Sequence, residues 1–192
     1  MEISYRPTLT REWDPKLPKL GWVMLNPSTA DEVEDDPTIR KVRGFTQAWA
    51  GRLYHWSERL APPEGRNAHP EWGGFVVANL YPRRATKPKD LILAPEFERL
   101  GDDPNAGFAA LAQCEGIVLA WGAQGSRFPG RVWEVCRLMH ETKQQLLCLG
   151  LTKHRQPMHP LMLGYKTPFS TFLDADPRSV ITCKETKPWT ST

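Results

Sequence analysis

The chain has 192 residues, 40% of them apolar and 24% charged, which suits one domain, two at most, with a substantial core. No apolar run approaches the roughly 18 residues of a membrane span, and the opening MEISYRPTLTREW lacks the basic start and apolar run of an export signal, so a cytoplasmic protein without membrane contact is expected. Twenty-five basic against 22 acidic residues leave a net charge of +3, too small by itself to announce a polyanionic partner.

In chain order, Ile3 to Trp13 alternate loosely before a proline-rich turn and predict an edge strand or hairpin arm. Leu20-Gly-Trp-Val-Met-Leu25 is an apolar run that ends at Asn26-Pro-Ser-Thr29, the pattern of a buried strand entering a turn. Thr29 to Glu32 fits a capping box, and Asp36 followed by Pro37 pairs an N-cap with proline at the first helical position. A helix therefore starts near Pro37, with Ile39, Val42, Phe45 and Trp49 as its apolar stripe. Residues Ser57 to Trp72 hold three prolines and little periodicity and read as a long surface loop.

Gly74 to Ala78 predicts a second buried strand running into Asn79-Leu-Tyr-Pro-Arg-Arg84. Asp103-Pro104 repeats the cap-plus-proline device, so a helix through Phe108, Leu111 and Ala112 is expected to stop near Gly116. A third strand, Gly116 to Ala120, reaches Trp121-Gly122. A helix over about Gly130 to Glu141 and a fourth strand, Gln145 to Leu149, then lead to a loop ending at His159-Pro160. The polar tail from Asp176 is expected to fray, leaving one domain over residues 1–175 and a flexible tail over 176–192.

This alternation of strand and helix predicts a three-layer α/β/α sandwich around a four-stranded, mainly parallel sheet with an N-terminal edge strand. Such sheets bind ligands beyond the carboxyl ends of their strands. Asn26, Asn79, Trp121-Gly122 and His159 each follow an apolar strand, so their turns are expected to share one rim.

The chemistry of each is open. Asn26 can orient a water or hydroxyl by hydrogen bonds, although Asn-Pro-Ser-Thr is also an ordinary helix-capping turn. The Asn79 amide offers donor and acceptor together, suited to the edge of a planar base or merely to a turn. A His159 N–H aimed at an oxygen gaining charge could contribute about 2.7–4 kcal/mol in a transition state, the scale of one oxyanion-hole donor. His154 is its nearest competitor. Arg83, Arg84, Lys87 and Lys89, with Lys153, His154 and Arg155, flank these turns as cations for phosphates, or as a solvated basic face.

Cys114, Cys136, Cys148 and Cys183 are too widely spaced for paired zinc or iron–sulfur motifs, and three lie in apolar surroundings, as buried free thiols do. His154 and His159 have no carboxylate or cysteine at ligand spacing, so they are not expected to bind a metal.

Five segments carry a resemblance: MLNPSTAD (Met24 to Asp31), DDPTIRKVRGF (Asp35 to Phe45), VVANLYPRRATKP (Val76 to Pro88), LAWGAQG (Leu119 to Gly125) and LGLTKHRQPMHPL (Leu149 to Leu161). Through them the chain resembles the domain of unknown function 1643 family. More distantly, LNPS, VVANL, LAWG and HPL resemble in order and spacing the motifs of the uracil-DNA glycosylase superfamily. That likeness implies a fold of the same kind and a glycosylase-like hydrolase acting on a base turned out of nucleic acid, DNA before RNA, with no metal or redox cofactor. Separately, a monomer is expected. The likeness also implies that Asn26 positions water, Asn79 reads the base and His159 stabilises the leaving base. Pro27, Ser28, Trp121 and Gly122 would shape the rim, and Leu161 and Met162 would form a wedge. The chain departs from the superfamily with asparagine in place of aspartate at the water turn, Ser28 in place of glycine or tyrosine, and Leu161 after His159-Pro160. Two other expectations remain: a binding module with the same pocket and no chemistry, and an enzyme for free nucleosides or nucleotides.

Overall fold

The computed structural model describes residues 3–27, 34–49, 72–85 and 87–172. The expected capping box at Thr29 to Glu32, Ser28, Cys183, the loop over 57–71 and the tail over 176–192 lie outside them.

Six strands form one mixed sheet: β1 (Thr8–Glu12), β2 (Lys19–Met24), β3 (Gly74–Asn79), β4 (Gly116–Leu119), β5 (Gln145–Cys148) and β6 (Ser170–Thr171). Their order is β1-β3-β2-β4-β5-β6. The inner strands β3, β2, β4 and β5 are mutually parallel, whereas β1 and β6 pair antiparallel at the edges. The sheet is thus mixed and six-stranded, which corrects the expected four-stranded sheet with an N-terminal edge strand. The missing strand, β6, is two residues long, too short for any alternating pattern, and is held by the pairing of Leu147 with Thr171 and Cys148 with Ser170.

Four α-helices accompany the described strands: α1 (Pro37–Ala48), α2 (Pro88–Leu93), α3 (Glu96–Leu100) and α4 (Pro129–Glu141). The Asp36 carboxylate accepts the Ile39 backbone N–H at 2.8 Å and caps α1, whose Ile39, Val42 and Phe45 are buried. Alternation along the strands divides the core between the two faces of the sheet. Trp22 and Met24 of β2 pack with α1, Phe45 and Phe169, while Val23 and Leu25 pack with Val132, Val135 and Met139 of α4. Each such buried side chain contributes about 1.5–3 kcal/mol.

The helix expected after Asp103-Pro104 is instead a 3₁₀ turn at Ala109–Gln113. Asp103 accepts the Asn105 N–H at 3.1 Å, a local turn rather than a helix cap. Buried Arg131 then holds the segment in place by donating to the Pro104 carbonyl, the Asn105 side chain and the Leu80 carbonyl at 2.7, 2.8 and 2.6 Å. Trp72, the last residue assigned to the long loop, is instead buried, and its carbonyl accepts the Trp13 indole N–H at 2.7 Å.

From β2 the chain passes to β3 on one side, then crosses back to β4 on the other. That reversal places a crevice beyond the carboxyl ends of β2 and β4.

Candidate functional site

A cavity of about 290 Å³ occupies this crevice. It is at the small end of the roughly 300–1,000 Å³ typical of small-molecule sites. Met24, Leu25, Val77, Ile39 and Ala85 give it apolar walls, and Asn26, Asn79 and His159 bring polar groups to it.

Asn26 follows the end of β2, where pairing with the turn after β3 continues: Leu80 N–H donates to Met24 and Tyr81 N–H to Leu25, at 2.8 and 3.0 Å. The Asn26 Nδ2 group donates to the carbonyls of Pro27 and Ala85, both at 2.8 Å. Carbonyls only accept, so the amide has a single orientation, and Oδ1 is the atom it can offer to the cavity.

Asn79 closes β3, opposite Met24 in the parallel register. It is 5% exposed, lines the cavity, and its side-chain amide has no hydrogen-bond partner among the described residues. A ligand presenting a donor and an acceptor could pair with that amide where it opens into the cavity.

His159 caps a 3₁₀ turn at Pro160–Met162, and its Nδ1 accepts the Leu161 N–H at 3.2 Å. The neutral ring therefore carries its proton on Nε2. Burial depresses its pKa below the ordinary 6.5, outweighing the Asp36 carboxylate, which pulls it upward. The imidazole is a neutral donor at physiological pH.

The rim is held from β4. Gly122 has φ of 76° and donates its N–H to the Pro157 carbonyl at 2.9 Å. Buried Trp121 donates its indole N–H to Gln156 Oε1 at 2.8 Å. On the α1 side, Lys41 Nζ donates to the Leu163 carbonyl at 2.6 Å and lies over the Tyr165 ring, tying the helix to the segment after His159.

Asn26, Pro27, Asn79, Trp121, Gly122, His159 and Leu161 thus line one cavity. Arg84, Lys87, Lys153, His154, Arg155 and Met162 are not part of its lining. Lys87, Lys153, His154 and Arg155 are exposed, and Met162 is 90% exposed beside Leu161 at the mouth. Arg83 is half-buried and pairs through one guanidinium nitrogen with Glu98 of α3. Arg6, Thr38 and Gln124 also line the cavity. No local signal marks them, because each reaches the rim through tertiary packing.

Asp35 accepts from Arg11 Nε at 2.7 Å and Arg43 Nε at 3.0 Å. Burial pushes its carboxyl up, but these two guanidiniums outweigh that and hold it below the ordinary 3.8, so it is a poor proton acceptor. Burial pushes the Cys114 and Cys136 thiols up to about 11 and about 12, which makes them inert as nucleophiles. Among the described residues no His, Cys, Asp or Glu cluster could hold a metal ion, and no helix is long and apolar enough to cross a membrane.

The family described as "Protein of unknown function (DUF1643)" matches residues 6–57 and 64–161, and the chain belongs to it. No curated protein and no solved structure matches the chain.

Proposed function

We propose that this DUF1643 member hydrolyses the N-glycosidic bond of a damaged or modified base flipped out of nucleic acid, DNA before RNA, within a three-layer, glycosylase-like fold. The observation that carries the reading is the complementary polarity of three groups around one cavity. Asn26 offers only an acceptor, neutral His159 offers only a donor, and Asn79 offers an uncommitted pair.

In this reading the Asn79 amide pairs with the edge of the base, and Asn26 Oδ1 takes a hydrogen bond from a water, aiming its oxygen at C1′. The water oxygen bonds to C1′ while the C1′–N bond breaks, and its electron pair passes to the base. The His159 Nε2–H donates to the base oxygen that gains the charge. The water's surplus proton leaves to solvent, and the released base takes one up there. An amide cannot deprotonate water, so the rate depends on how well the base leaves. Pro27, Trp121 and Gly122 shape the mouth. Arg84, Lys87, Lys153, His154 and Arg155 meet phosphates, and Leu161 with Met162 fills the gap the base vacates.

The test is incubation with oligonucleotides carrying uracil, hypoxanthine or hydroxymethylated pyrimidines, followed by alkali, which cuts at abasic sites. Breaks at one altered base that vanish in both Asn26→Ala and His159→Ala are expected. Breaks that survive both substitutions contradict the assignment of this site, and an absence of breaks on every substrate contradicts hydrolysis. A second reading is a binding module without chemistry, favoured by the amide standing where a stronger base would activate water. Binding without cleavage, weakened by Asn79→Ala, supports that alternative.

A further inference from the structure

Gln156 lies outside the cavity lining, yet it is 4% exposed and every polar group it carries is engaged. Its Oε1 accepts the Trp121 indole N–H at 2.8 Å, in a buried bond between β4's extension and the loop that ends at His159. Its backbone closes that loop on itself: Thr152 N–H donates to the Gln156 carbonyl at 2.8 Å, and Gln156 N–H donates to Thr152 Oγ1 at 3.2 Å. The next residue, Pro157, accepts the Gly122 N–H, and Met158 N–H donates to Gly150 at 2.9 Å. The contact is also sterically closed, because a Cβ at Gly125 would stand 2.2 Å from Trp121 Cδ1 and 2.7 Å from Gln156 Oε1.

We propose that Gln156 is a positioning residue for His159, locking its loop to the end of β4 through the Trp121 indole and so fixing where the imidazole stands in the cavity. The physical reason is an unequal exchange. Removing the Gln156 amide leaves a buried indole N–H without an acceptor, and the relief available is for the loop to lift and admit water. His159, three residues on, then exchanges a half-buried setting for a wetter one, and the Leu161 N–H bond to Nδ1 loses the geometry that selects the Nε2–H form. The relation stands on loop geometry, and its bearing on catalysis rests on the reading above.

The test follows the His159 imidazole nitrogens by NMR in the full chain across pH. Asp36 is the carboxylate whose field reaches this ring, with Lys153, His154 and Arg155 on the same loop, so all four are kept in every variant. Wild type should show one tautomer, Nε2–H, and a midpoint below the ordinary histidine value. Gln156→Leu should show mixed tautomers and a midpoint moved up toward that value. Gln156→Glu, which keeps an acceptor for the indole, should restore the single tautomer. Met139→Ala, which loosens the core under the far end of α4, should leave His159 unchanged and so separates positioning from general loosening.

If Gln156→Leu does not fold, Trp121→Phe removes the same hydrogen bond from the other side and must mix the tautomers. A folded Gln156→Leu with the wild-type tautomer and midpoint overturns the proposal, as does an equal change in Met139→Ala. No readout needs a substrate, so a protein without glycosidic activity leaves the result standing.

Discussion

Gly122 and His159 stand so close that a Cβ on the glycine would lie 3.0 Å from the histidine Cβ, and Gly122 also has φ of 76°. Gly122→Ala therefore meets two penalties: a left-handed backbone costs about 1–3 kcal/mol for a side-chain-bearing residue, and His159 must retreat from the cavity. Denaturant unfolding should show that loss. A variant of unchanged stability with His159 undisturbed would mean that the turn tolerates a side chain.

Asn26 is not interchangeable with aspartate. Its Nδ2 faces two carbonyl oxygens, and an aspartate there would set an anionic oxygen against both. Asn26→Asp should destabilise the protein by about 1–3 kcal/mol. The introduced carboxyl should have a raised pKa, so its penalty is small at acid pH and grows as pH rises. Urea midpoints across pH for this variant and Asn26→Ala would check it. A flat difference from wild type would show that the amide is not held as described.

His159 has a folded pKa below the ordinary 6.5, so the unfolded chain binds its proton more readily. The stability it contributes is fully present above 6.5 and is lost as pH falls toward the depressed folded value. His159→Asn keeps an acceptor for the Leu161 N–H but does not titrate. The stability gap between wild type and this variant should therefore shift against wild type as pH drops below neutrality. Parallel pH–stability curves would contradict the burial of the ring.

Asp35 has a lowered pKa for the reason given above, so its contribution is present above 3.8 and vanishes as pH falls through the lower folded value. Asp35→Asn should cost about 1–2 kcal/mol at neutral pH and little in strong acid. Equal losses at both would assign the effect to shape rather than charge.

Much of the parallel core is readable in the residues themselves. Leu20 to Leu25, Gly74 to Ala78 and Gly116 to Ala120 are apolar runs because both faces of the inner strands are covered, and Asp36-Pro37 marks the start of α1 by capping chemistry. The gathering of Asn26, Asn79 and His159 follows from strand order, since parallel strands deliver their following turns to one rim. What escapes the pattern depends on distant partners. Asp103-Pro104 has the letters of a helix start, yet Arg131, on α4, holds the chain there in a different shape. The pairing of Arg83 is not legible locally, because α3 brings Glu98 beside it. Gln156 carries no local mark, because its partner Trp121 belongs to another strand's turn.

The most direct measurement is the Asn79 side-chain NH₂ resonance, followed by NMR while an oligonucleotide with an altered base is added. A large shift and slowed exchange of those protons are expected, lost in His159→Ala mixtures only to the extent that binding weakens. An oligonucleotide that binds while the Asn79 amide stays unchanged would contradict base recognition in this cavity.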